Sequence, residues 1–214
     1  MKTAIASLLL LLACPALAQP SDTVTIQHRY YSTTFSKSKH FPVVVKYWLT
    51  KDMFSCSKKF PRTNKFTADP LLKDYTSLGK YYSHSGYDQG HNMDADDNSC
   101  DSIGMAESFY YSNMTPQTPR LNRGIWKTLE EYTRTKAKSA DSVLVWCGSV
   151  AAAKKHIGKV AVPTYCWKVI YVKKLGVTEA YCFRNNSAKA RALASYRVSV
   201  DSVWHLSGIR FRTQ

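Results

Sequence analysis

Several things are scarce in this 214-residue chain. Acidic residues are half as numerous as basic ones, 15 against 30, so the formal net charge is +15 and a polyanionic partner is favoured. Glycine and proline number only 9 and 8, and no internal repeat, low-complexity tract or Pro/Gly linker divides the chain. That argues for one domain. There is no GxxxxGK[ST] and no GxSxG, which excludes a P-loop and a serine-hydrolase elbow. CxxC and HxxxH spacings are absent too, and a zinc site would have only His156, between Cys147 and Cys166, to build on. The acidic run Asp94-Ala95-Asp96-Asp97-Asn98 lacks the glycine and glutamate that a calcium loop requires where Ser99 and Met105 stand, so it reads as a solvated loop that repels substrate from the wrong side.

Long apolar runs are missing except at the N-terminus, where Lys2 precedes an apolar stretch over residues 4–13, followed by Ala16-Leu17-Ala18. This is the pattern of a cleaved export signal, with cleavage after Ala18. Residues 1–18 are thus expected to be a signal peptide and residues 19–214 a single secreted or periplasmic domain with no stable membrane association. A lipoprotein site at Cys14 is the weaker alternative, because Leu12 before it and Pro15 after it fit poorly. Five cysteines remain after cleavage, and an oxidising compartment favours one or two disulfides. Spacing does not set their pairing, although Cys56 with Cys100 would tie the N-terminal segment to the acidic loop.

Hydrophobic patterning predicts strands at 41–49, 87–91, 109–114, 142–146, 159–162, 165–172 and 180–183, helices at 121–135 and 188–195, and loops over 51–79. The mixture indicates an α+β fold. Formal glycan acceptors occur at Asn113-Met114-Thr115 and Asn185-Asn186-Ser187, of which the second is better placed.

The stretch from Tyr87 to Glu131 holds the densest chemistry. It places His91, Asn113, Asn122 and Glu130 in a strand, strand, helix unit. Hydrolysing a phosphodiester requires an activated water and neutralisation of charge on the phosphate and the leaving oxygen; a neutral histidine serves the first and a divalent ion the second. Gly90 leaves the backbone beside His91 open to close approach, and Asp88 offers a carboxylate for local bonding. Mg²⁺ keeps much of its water shell, so one asparagine oxygen, Asn122, suffices as a protein ligand. Glu130 lies about 12 Å further along a straight helix, too far to share the ion directly, and would act through its water shell. The bland readings are a helix cap for Asn122, a core position for Trp126 and an inert surface for His84 and His205. Lys127, Arg134, Lys136 and Lys138 read equally well as a DNA-tracking surface or a solvated face.

These segments resemble the DNA/RNA non-specific endonuclease family, the ββα-metal or His-Me finger group that includes secreted bacterial nucleases and mitochondrial endonuclease G. The similarity rests on Asp88-Gln89-Gly90-His91 against DRGH, on residues 108–117 against an SFYLSNMSPQ-like strand, and on residues 121–130 against LNRGIWxxLE. It extends to Val162-Pro163-Thr164 with Trp167-Lys168-Val169, and to residues 207–211. The resemblance implies a mixed, largely antiparallel sheet with flanking helices and Mg²⁺-dependent cleavage of DNA and RNA to 5′-phosphate products, with Mn²⁺ or another divalent ion as a substitute. It implies His91 as general base, Asn122 as metal ligand and Glu130 as outer-sphere acid. Asn113 would place substrate or histidine, and Arg62, from an RxxxF pattern, would stabilise the phosphate. Asp88, Gln89 and Arg123 are the expected substrate contacts, and a homodimer is the candidate assembly. One departure stands out: Gln89 occupies the family's arginine position and replaces a bidentate cation with a neutral amide. The alternative function is a catalytically weakened, basic nucleic-acid-binding member of the same family.

Overall fold

The computed structural model describes residues 22–151, 154–186 and 191–213. Its centre is a seven-stranded sheet of order β1-β2-β3-β6-β9-β10-β11, every neighbouring pair antiparallel. In chain order the strands are β1 (Thr23–Gln27), β2 (Tyr31–Ser36), β3 (Phe41–Thr50), β4 (Asp88–His91), β5 (Met114–Gln117), β6 (Ser142–Val150), β7 (His156–Ile157), β8 (Val160–Ala161), β9 (Tyr165–Val172), β10 (Val177–Arg184) and β11 (Arg197–Val198). Strands β4 and β5 pair only with each other, as do β7 and β8. The helices are α1 (Lys73–Thr76), α2 (Gly79–Tyr82), α3 (Ser102–Ser108), α4 (Lys127–Ser139) and α5 (Val200–Ser207). The expected α+β class is what forms. Among the described residues no helix is long and apolar enough to cross a membrane.

The sheet is covered on both faces, which explains why its central strands read as unbroken apolar runs. Helix α4 presents Leu129, Thr133 and Ala137, four residues apart, and packs with Trp126 on Val45, Tyr47, Val145 and Ile170. On the other face Val203 of α5 meets Leu144, Trp146, Trp167 and Val169. Burying one fully enclosed aliphatic side chain such as Leu129 contributes about 1.5–3 kcal/mol, so this double cover fixes the sheet beneath the site.

Two expectations need correction, and the zinc alternative already set aside finds no support. Residues 109–114 are not a strand: Tyr110 makes a single bridge to Thr67, residues 111–113 form a tight turn, and the strand begins at Met114. The consecutive aromatics Phe109, Tyr110 and Tyr111 suggested a strand there, but the two tyrosines pack in different places. The acidic loop is not solvated, since Asp94 and Asp97 are buried against Arg134. The zinc reading fails because His156 is exposed on β7 whereas Cys147 and Cys166 lie inside the sheet core. Burial pushes both thiols up to about 12.

The polar N-terminal segment forms the β1–β2 hairpin. His28, buried at its turn, bonds Asp69 at 2.8 Å, and Asp69 also accepts from Ser112, so the hairpin is tied to the turn that precedes β5. Part of the helix expected at 188–195 and the signal peptide at 1–18 lie outside the described residues; residues 193–196 form one short turn.

Cys56 and Cys100 are bonded, closing a loop with a sequence separation of 44 that joins residues 51–60 to the Asp94–Asp97 segment. For a loop of that size chain entropy alone gives about 4 kcal/mol. Replacing both cysteines by alanine is expected to lower unfolding free energy by about 2–4 kcal/mol in urea titration; an unchanged midpoint would contradict the structural role.

Candidate active site

Strand β4 delivers His91 and β5 backs it. The register sets Gly90 opposite Thr115 and His91 opposite Met114. A Cβ at Gly90 would stand 2.4 Å from the side-chain oxygen of Gln117, so the close approach foreseen for Gly90 is made by that buried glutamine. His91 is 5% exposed and stands edge-on to Phe109 at 5.0 Å, with Phe66 at 5.7 Å. Its Nε2 is buried and has no hydrogen-bond partner among the described residues. Burial, reinforced by the positive charge of Arg62 and opposed by Asp94, pushes the imidazole pKa down to about 3. The ring is therefore neutral across the physiological range.

The backbone around the histidine is held from three sides. The Trp126 indole donates to the His91 carbonyl at 3.2 Å. Asn92 donates its amide to the Asn113 carbonyl at 2.9 Å and to Thr115 Oγ1 at 3.0 Å. Asn113 accepts from the Met93 N–H at 2.9 Å and donates to the carbonyls of Met93 and Ser108 at 2.9 and 2.8 Å. Asn113 is fully buried, and its amide is committed to the backbone that follows the histidine. The same burial closes the acceptor site at residues 113–115 to a glycan.

Residues 121–126 make the first helical turns, broken at Gly124, whose φ of −108° and ψ of −114° are not helical; α4 then begins at Lys127. The break sits between Asn122 and Glu130, so the straight-helix separation does not apply. Asp88 accepts from Asn122 Nδ2 at 3.0 Å and from Arg123 Nε and Nη2 at 2.8 and 2.7 Å. Burial works against ionising this carboxyl, but the bonds from Arg123 and Asn122 outweigh it and hold its pKa below the usual range. With both oxygens engaged, an anionic Asp88 does not bind phosphate; it orients its neighbours. Nδ2 is turned to Asp88, and the Asn122 Oδ1 accepts no hydrogen bond among the described residues.

The remaining expected residues converge on the same cleft, of about 400 Å³, which Arg62, Gln89, His91, Asn122, Arg123 and Glu130 line. Arg62, though on a loop, has its guanidinium 5.1 Å over the Phe109 ring that also supports His91, and its Nη1 lies 3.8 Å from Asp94. Gln89 lies beside the Tyr111 hydroxyl. Glu130 opens into the cleft and makes no salt bridge among the described residues. Burial and the nearby negative charge of Asp94 push its carboxyl well above its ordinary range, with Lys168 pulling the other way.

Sequence reasoning missed the floor of the site. Arg134, one helical turn after Glu130, bonds both Asp94 and Asp97, the latter at 3.1 Å. Burial and the Asp94 charge push Asp97 up to about 7. The four-residue spacing from Glu130 to Arg134 was the available signal, since it sets them on one helix face.

Among the described residues no group of three His, Cys, Asp or Glu side chains could hold a metal. One free amide oxygen beside an acid that opens into the same cleft instead suits a hard divalent cation that retains most of its water. Removing the Asp88 carboxylate frees the Asn122 amide to rotate. Asp88→Ala is expected to raise the divalent-ion concentration at half-maximal activity about 10–100-fold with the fold intact by circular dichroism; an unchanged metal requirement would contradict the orienting role.

Comparison with known proteins agrees with this geometry. The family model for DNA/RNA non-specific endonuclease matches residues 13–214. The mitochondrial nuclease EXOG of Xenopus laevis is 29% identical over 216 residues, covering 91% of this chain and 60% of that protein. A nuclease of Nostoc sp. is 28% identical, covering 94% and 79%, and human mitochondrial endonuclease G is 33% identical, covering 61% and 50%. The chain thus spans between half and four-fifths of the length of these relatives. A crystal structure of the EndoG/EndoGI complex contains a chain that superposes with a TM-score of 0.78 at 26% identity, covering 87% of this chain and 84% of that one. Sequence, sheet and site agree that this chain belongs to the DNA/RNA non-specific endonuclease family.

Proposed function

We propose that the protein is a Mg²⁺-dependent endonuclease that hydrolyses the phosphodiester bonds of DNA and RNA to 5′-phosphate products. The observation that carries this reading is a buried, neutral His91 that lines one cleft together with Arg62, Asn122, Arg123 and Glu130. A histidine so placed takes a proton from water without first having to lose one. Arg62 stabilises negative charge on the phosphate, and Arg123, braced by Asp88, guides the strand at the exposed rim. Asn122 would hold Mg²⁺ through Oδ1; the ion, or Mn²⁺ in its place, supplies charge neutralisation at the phosphate and at the departing oxygen. Glu130, its carboxyl biased towards the protonated form, holds a proton on that side of the cleft. The net charge of +15 supports attraction of polyanions in general, with no choice between DNA and RNA. Residues 1–18 are read as an export signal, so that the enzyme works outside the cytoplasm.

Plasmid and RNA digestion by the purified chain tests this. Cleavage is expected with Mg²⁺, none with EDTA, and a loss of at least about 100-fold for His91→Ala. Salt-sensitive binding by folded protein with no metal-dependent cleavage would instead establish the nucleic-acid-binding alternative. Gln89→Arg restores the bidentate cation and is expected to raise cleavage by about 3–10-fold; an unchanged rate would place residue 89 outside the phosphate contacts.

A further inference from the structure

Lys168 is a charge in a place where charge is costly. It sits on β9 between Cys166 and Ile170, opposite Cys147 of β6 and Tyr181 of β10, and all four neighbours belong to the apolar cluster beneath α4. It is 1% exposed, and its ammonium lies 5.1 Å from the centre of the Trp126 indole. Among the described residues no carboxylate forms an ion pair with it, while Arg134, the other cation beneath the cleft, is taken up by Asp94 and Asp97. A methionine would fill the same volume without the desolvation penalty. Packing therefore does not explain the residue.

Its surroundings do. The field of Lys168 acts on Glu130 of α4, Asp97 of the acidic loop and Cys147 of β6. Glu130 also feels Asp94, Asp97 and Arg134, and bears on Tyr47 of β3. The indole above Lys168 is the one that donates to the His91 carbonyl, and Glu130 follows Trp126 by one helical turn. We propose that Lys168 is a positioning residue for phosphodiester hydrolysis: its ammonium, seated against the face of Trp126, fixes the indole that anchors the His91 carbonyl. This rests on the endonuclease reading above. Lys168 does not line the cleft; it acts through Trp126.

The test uses the full chain, plasmid cleavage in Mg²⁺, and ¹H–¹⁵N spectra of the metal-free protein. Lys168→Met is expected to lower kcat at least about 100-fold with KM changed less than about 3-fold, and to displace the Trp126 indole resonance. Lys168→Arg, which keeps the charge, is expected to recover at least about 10-fold of that loss. A folded Lys168→Met variant with wild-type kcat overturns the proposal, as does an arginine variant no better than the methionine one. Should the methionine variant fail to fold, Lys168→Gln takes its place in the same comparison. Wild-type protein that does not cleave would count against the endonuclease reading alone, and the proposal would then stand or fall on whether the Trp126 resonance moves in the variants.

Discussion

The hydrogen bond from the Trp126 indole to the His91 carbonyl, 3.2 Å long, joins the two halves of the site. On one side stands the β4–β5 pair, whose strands pair with no other strand; on the other the broken helix that carries Asn122 and leads into α4. Neither half is wide enough to fix a side chain alone, since an isolated two-stranded ribbon is marginal in water. Trp126 is fully buried in the core that α4 shares with the central sheet, so the anchor transmits the rigidity of seven strands to one backbone carbonyl. The asparagines Asn92 and Asn113 then lock the residues that follow.

Charge is distributed around that frame by depth. At the base lie buried acids, Asp94 and Asp97, each engaged by Arg134. Above them His91 is kept neutral because its ring is wrapped by Phe66 and Phe109 and faces Arg62. At the rim Arg123 is exposed but steered by Asp88. The cleft thus sets Arg62, Arg123 and Lys127 beside an uncharged histidine, while Asp94, which shares its lining, is engaged by Arg134. Had Asp94 been solvated, as the bare sequence suggested, it would have opposed the same substrate.

Much of this was legible from local pattern. The apolar runs of β3, β6 and β9 announced a sheet covered on both faces, and the turn from Asn122 to Glu130 lay inside a clear helical period. His91, Asn122 and Glu130 were legible from residue chemistry as well as from the resemblance, Arg62 from the resemblance alone, and the structure brings all four to one cleft. What stayed hidden depends on tertiary partners. Asp94, Asp97 and Arg134 look like surface charges until each is seen to be buried by the others. Whether Asn113 places substrate or histidine was open in the sequence because nothing local shows that Met93 and Ser108 consume its amide. Lys168 was visible as a lysine at an inward position of a strand, but its proximity to Trp126 arises only when α4 is laid across the sheet.

The central claim is that the fold keeps His91 neutral and ready to accept a proton. A folded-state pKa below the ordinary value of about 6.5 means that the unfolded chain binds the extra proton, so this group withdraws stability as pH falls from there towards 3. The direct measurement is the ring ¹⁵N shift of His91 followed from pH 8 to pH 4 in folded, metal-free protein. Neutral shifts throughout are expected; a midpoint near 6.5 would show the ring to be solvated and would contradict the account.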